Sequence, residues 1–88
     1  MEVTLLTQQN CSFCDQAKEI LDRLSPRYGF AITTLDLGSV GGQQLLERGG
    51  VMFPPGIFID GEPFSYGRPS ERKLRRELDR RSASTRRA

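Results

Sequence analysis

Apolar residues fall in short separate stretches along the chain, some as continuous runs and some at the three-to-four-residue spacing of an amphipathic helix. Val3-Thr4-Leu5-Leu6-Thr7 is rich in leucine and β-branched residues and scarcely alternates, the pattern of an interior strand covered on both faces. Ala17, Ile20, Leu21 and Leu24 then recur at helical spacing, with Lys18, Glu19, Asp22 and Arg23 mostly left to solvent. A helix over 12–25 is expected, ended by Pro26. Phe30 to Leu37 reads as a second strand, with Phe30, Ile32 and Leu37 imperfectly alternating and Gly38-Ser39 closing it. Gly41 and Gly42 each weaken the next helical signal by about 1 kcal/mol relative to alanine. Only a short helix over 42–48 is therefore expected, stopped by Gly49-Gly50.

Ile57-Phe58-Ile59 is a short buried strand, Asp60-Gly61 a hairpin turn, and Glu62 to Tyr66 an antiparallel edge strand on which Pro63 is tolerable. Arg68-Pro69-Ser70 leads into a last helix whose apolar stripe is only Leu74 and Leu78, so it should lie on the surface. No periodicity survives after Arg81. The order is βαβαββα without internal repeats, read as one domain over 1–81 with a disordered basic tail over 82–88.

At 88 residues the chain can bury one small core, with no room for a second fold. The beginning has no basic region before its short apolar run, and no stretch approaches the ~18 apolar residues of a membrane span. A cytoplasmic protein without membrane contact is expected. The net charge of +2 hides an asymmetry: four basic residues face eight acids up to Gly67, whereas nine face three from Arg68 onward.

The candidate chemistry is Cys11-Ser12-Phe13-Cys14, which follows the first strand and opens the first helix. A thiolate, not a thiol, attacks a disulfide, and a free cysteine with a pKa near ~8.5 is mostly protonated at neutral pH. The unpaired N–H groups and dipole at a helix start favour an anion by roughly 0.3–2 kcal/mol, which lowers a thiol pKa by up to ~1.5. Cys14, one turn deeper and sharing a face with Ala17 and Leu21, gains less of this. Cys11 is therefore the expected nucleophile and Cys14 the resolving thiol. A purely structural disulfide is the weaker reading, since closing so short a ring stabilises by only about 2 kcal/mol. A closed zinc site would need four ligands, and two cysteines with no histidine supply too few. Asp15 after the second cysteine excludes a c-type haem attachment, which requires histidine there.

Cys11-Ser12-Phe13-Cys14 after a first strand, followed by Pro55-Gly56-Ile57-Phe58-Ile59-Asp60-Gly61, resembles the glutaredoxin and thioredoxin family, over roughly 3–78. The resemblance implies an α/β, thioredoxin-like fold: a four-stranded mixed sheet flanked by helices. It implies a cis peptide bond before Pro55, which would pack beside the cysteines. It also assigns substrate contacts to Ser12, Phe13, Pro54 and Pro55, with Phe13 as an apolar wall. Pro54 departs from the family pattern, because a proline has no N–H to offer an extended substrate.

That resemblance implies a thiol-disulfide oxidoreductase that reduces protein or glutathione mixed disulfides, holds no tightly bound cofactor and no metal, and acts as a monomer. Its electrons would come from thioredoxin reductase or from glutathione. Glutaredoxins carry a basic residue shortly before the first cysteine and an acid near the last helix, where this chain has Gln8, Gln9 and Arg68. Ser65-Tyr66-Gly67-Arg68-Pro69 is loosely similar to the loop of small redoxins that take electrons from thioredoxin reductase. A protein reductant is accordingly preferred. Two alternatives are kept: a glutathione-dependent [2Fe–2S] glutaredoxin, suggested by Ser12, and a binding module acting through the basic last helix. For the latter, nucleic acid is not the expected partner, since no aromatic follows Tyr66.

Overall fold

Both faces of the first strand are apolar, and the fold is built outward from it. The computed structural model describes residues 1–87, in the order β1 (Glu2–Thr7), α1 (Ser12–Tyr28), β2 (Ala31–Asp36), α2 (Val40–Glu47), β3 (Gly56–Ile59), β4 (Glu62–Tyr66) and α3 (Glu71–Arg87). The four strands form one mixed sheet in the order β2-β1-β3-β4, with β1 parallel to β2 and antiparallel to β3. β1 is interior and β4 an edge, as their sequences imply.

Side chains alternate across a strand, and this divides the core in two. Val3, Leu5, Ile57 and Ile59 face the layer made by α1 and α3, where they pack with Ala17, Leu21, Leu24, Leu74 and Leu78. Leu6 and Phe58 face the other way, against Leu45 of α2 and Val51. The result is a three-layer α/β/α arrangement.

Several boundaries differ from the sequence expectations for physical reasons. α1 continues past Pro26 to Tyr28. The proline removes one intrahelical N–H, but Gly29 then caps the helix at φ 73°, donating its N–H to the Ser25 carbonyl at 2.7 Å, and Tyr28 is held by Asp79 of α3. α2 begins earlier, at Val40, because the Ser39 hydroxyl caps it by accepting the Gly42 N–H at 3.0 Å. The expected disordered tail from Ser82 is corrected as far as Arg87: the α3 backbone remains helical there, and 82–87 contain neither glycine nor proline to stop it. Ala88, the last residue of that expectation, lies outside the described residues.

α3 is fastened by two fully buried leucines, Leu74 and Leu78, and by polar contacts around them. Arg23 pairs with Glu71, the Tyr28 hydroxyl donates to Asp79 at 2.6 Å, and Arg81 reaches both Glu77 and Asp60. Hydrogen bonds from Arg80 and Arg81 hold the Glu77 carboxyl below the usual carboxylate range. At Asp60-Gly61 both residues have positive φ, 51° and 84°, the conformation of a tight hairpin turn. Asp60 also ties this turn to β1, accepting the Glu2 N–H at 2.8 Å.

Candidate active site

Strand register decides which loops meet. Leu6 near the end of β1 faces Gly56 at the start of β3, and Gly56 faces Tyr66 at the end of β4. The turn carrying Cys11, the Pro54-Pro55 segment and the Gly67-Arg68 segment therefore share one end of the sheet. The Gly67 N–H donates to the Pro55 carbonyl at 2.9 Å, joining the last two directly. The Pro54-Pro55 peptide bond is cis, as the resemblance implied.

Asn10 enters the helix turn at φ 56°, a left-handed conformation that asparagine tolerates better than most residues. Cys11 follows as the N-cap of α1, with extended φ and ψ of −119° and 103°. Its sulfur takes the role an N-cap oxygen usually plays, accepting the Cys14 N–H at 3.1 Å. The two cysteines are joined as a disulfide, with Cα atoms 5.2 Å apart. Cys11 is half-buried, whereas Cys14 is only 2% exposed and lies in the core. The pair thus has one accessible sulfur at the helix tip and one behind it.

The remaining sequence candidates divide by exposure. Ser12 and Phe13 are exposed on the first turn of α1, Phe13 at 41%. Pro54 and Pro55 are at the same sheet end but are buried. Among the described residues, no group of three or more His, Cys, Asp or Glu side chains is gathered in a way that suits a metal ion. No helix among them is long and apolar enough to cross a membrane.

Sequence reasoning missed an exposed apolar group beside the cis-proline. The rings of Phe53 and Tyr66 meet edge to face at 5.2 Å, and the Tyr66 hydroxyl donates to the Met52 sulfur at 3.5 Å. Met52, Phe53 and Tyr66 are 77%, 54% and 42% exposed. Gly67 makes this possible: at φ 76°, a Cβ there would lie 2.9 Å from the Phe53 ring. The available signal was Met52-Phe53, apolar residues that belong to no periodic pattern between two glycines and two prolines.

A three-layer fold with a helix-capping CxxC opposite a cis-proline defines a thioredoxin-like redoxin. Residues 2–79 match the model of the glutaredoxin-like domain (DUF836), and the chain belongs to that family. It is 33% identical over 82 residues to the uncharacterized proteins Rv0508 of Mycobacterium tuberculosis and Mb0520 of Mycobacterium bovis, covering 90% of this chain and 84% of each relative. Among solved structures, a mutant thioredoxin from Halobacterium salinarum superposes with a TM-score of 0.69 at 20% identity, covering 90% of this chain and 72% of its own. Glutaredoxin 1 from Francisella tularensis superposes at 0.52 with 22% identity, covering 90% and 93%. These likenesses show the fold. Together with the cysteine pair, they point to a thiol redox function.

Proposed function

We propose that the chain is a thiol-disulfide oxidoreductase that reduces disulfides of protein substrates. The observation that carries this reading is the asymmetry of the pair: a half-buried Cys11 capping a helix, backed by a buried Cys14 whose N–H points at the Cys11 sulfur. Once the pair is reduced, that N–H and the helix terminus favour the Cys11 thiolate.

The Cys11 thiolate attacks one sulfur of the substrate disulfide, forming a mixed disulfide and releasing the other substrate sulfur as a thiolate, which takes up a proton. Cys14 loses its proton and attacks the Cys11 sulfur. The Cys11–Cys14 bond closes, and the second substrate thiolate leaves. Two electrons pass from the pair to the substrate. The exposed Phe13 ring supplies an apolar wall for the incoming disulfide. Pro54 lacks an N–H, so only its carbonyl is left to pair with an extended substrate backbone.

A protein reductase is the proposed electron donor. Glutathione has two carboxylates and an ammonium, whereas Gln8 and Gln9 are neutral and Arg68 stands where an acid would hold the ammonium. The deciding experiment feeds the oxidised protein in parallel from glutathione with its reductase and from thioredoxin reductase, each with NADPH. Turnover with thioredoxin reductase is expected. Efficient turnover with glutathione alone would overturn the donor assignment, and no turnover of any disulfide would overturn the reading itself.

A further inference from the structure

A second feature lies between the edge strand and the last helix, and it contains neither cysteine. Between β4 and the start of α3 is a cavity of about 430 Å³ lined by Tyr66, Arg68, Ser70, Lys73, Arg76 and Glu77, among others. Glu77 is its one carboxylate, and that group is already held by Arg80 and Arg81. Arg68, Lys73 and Arg76 form no ion pair among the described residues. Lys73 and Arg76 are three apart on α3 and so share a helix face. The cavity therefore presents three cations that belong to no ion pair among the described residues, although Arg76 also borders a neighbouring hollow that holds Glu71 and Asp79.

Tyr66 connects this cavity to the catalytic end of the sheet. It lines the cavity and also meets the exposed Phe53 ring, two residues before the cis-proline. An apolar platform thus runs from the redox loops into a basic hollow. An occupant complementary to both would place an apolar side chain on Phe53 and Tyr66 and several carboxylates among the cations. Consecutive residues of a polypeptide can do this. Glutathione has no apolar side chain for the platform, and its ammonium would be repelled by Arg68.

We propose that this surface docks an acidic segment of a partner protein, the segment lying beside the disulfide that Cys11 attacks. The description of the partner as a substrate rests on the redox reading; the docking chemistry does not. Charges at the rim of an interface chiefly accelerate encounter and select among partners, so the cavity would give the protein a preference for acidic substrates.

The test uses the full-length protein and two labelled, cysteine-free peptides, one with Leu-Tyr followed by three acidic residues, the other with lysines in place of the acids. Binding is followed by fluorescence anisotropy. At low salt the acidic peptide should bind roughly tenfold more tightly, and salt near ~0.5 M should remove most of the difference. The charge reversal R68E/K73E/R76E should abolish the preference, with circular dichroism confirming that it folds. The milder Arg76→Gln should weaken acidic-peptide binding about threefold.

Equal binding of the two peptides, or a preference that survives the reversal, would overturn the proposal. Displacement of the acidic peptide by equimolar glutathione disulfide would also overturn it, assigning the cations to a small molecule. Acidic-peptide binding by a protein unable to reduce bis(2-hydroxyethyl) disulfide would uphold the docking site and overturn only the redox reading.

Discussion

The backbone N–H of Cys14 points at the sulfur of Cys11, 3.1 Å away, so the residue at the base of the first helical turn solvates the atom at its tip. A thiolate at Cys11 inherits this donor and the helix terminus, while Cys14 is buried and has no such position.

Cys11→Ser should therefore reduce disulfide reduction to background, and Cys14→Ser should leave partial activity in reactions that one cysteine completes with glutathione. In the reduced protein, limiting iodoacetamide should label Cys11 first, with peptide mass mapping as the measurement. Preferential labelling of Cys14 would reverse the two roles. A thiolate absorbance titration should place Cys11 below a free cysteine, by an amount limited by the negative charge of Asp15 in the same turn.

Phe53 should matter for protein substrates more than for small ones. Phe53→Ala removes half of the aromatic pair without touching either sulfur, so KM for a peptide disulfide should rise several-fold while kcat for bis(2-hydroxyethyl) disulfide stays close to the parent value. Gly67→Ala should disturb the same platform by a different route, since its Cβ would press on the Phe53 ring at a left-handed φ. Steady-state kinetics with both substrates would separate these effects.

Two glycine substitutions should destabilise for different reasons. A Cβ at Gly42 would lie 2.0 Å from the Asp36 carbonyl oxygen, a backbone atom that cannot step aside, so Gly42→Ala should cost about 1–3 kcal/mol or more. At Gly49 nothing lies within 4 Å, and Gly49→Ala should cost only the left-handed backbone penalty of roughly 1–2 kcal/mol. Urea unfolding of both variants beside the parent would measure the difference.

Acid should loosen α3 through Glu77. Its folded-state pKa is lowered, so its contribution to stability is fully present above the ordinary carboxylate range and is lost as pH falls through the lowered value. Glu77→Gln should flatten the part of the stability profile that falls on the acid side of that range. Thermal unfolding across an acid pH series, in parent and variant, would show it.

The order of elements, the interior position of β1, the turn at Asp60-Gly61 and the place of Cys11 at a helix start were legible in the sequence. Each depends on interactions within a few residues: side-chain periodicity, glycine and proline constraints, and capping. Helix ends were less legible, because Tyr28 owes its place in α1 partly to Asp79, which is 51 residues away. Gly42 shows the same division at one position. By propensity it only weakens a helix, whereas in the fold it is the residue that lets α2 close against the end of β2. The cysteine pair was visible as a motif, but the Met52-Phe53-Tyr66 platform and the basic cavity beside it were not. They come into being when the β3-β4 register sets Gly56 opposite Tyr66 and two leucines lay α3 against the sheet, bringing Phe53 to Tyr66 and Arg68 to the same hollow as Arg76. Local sequence determines which backbone shapes are cheap; burial of apolar surface between distant segments decides which side chains become neighbours.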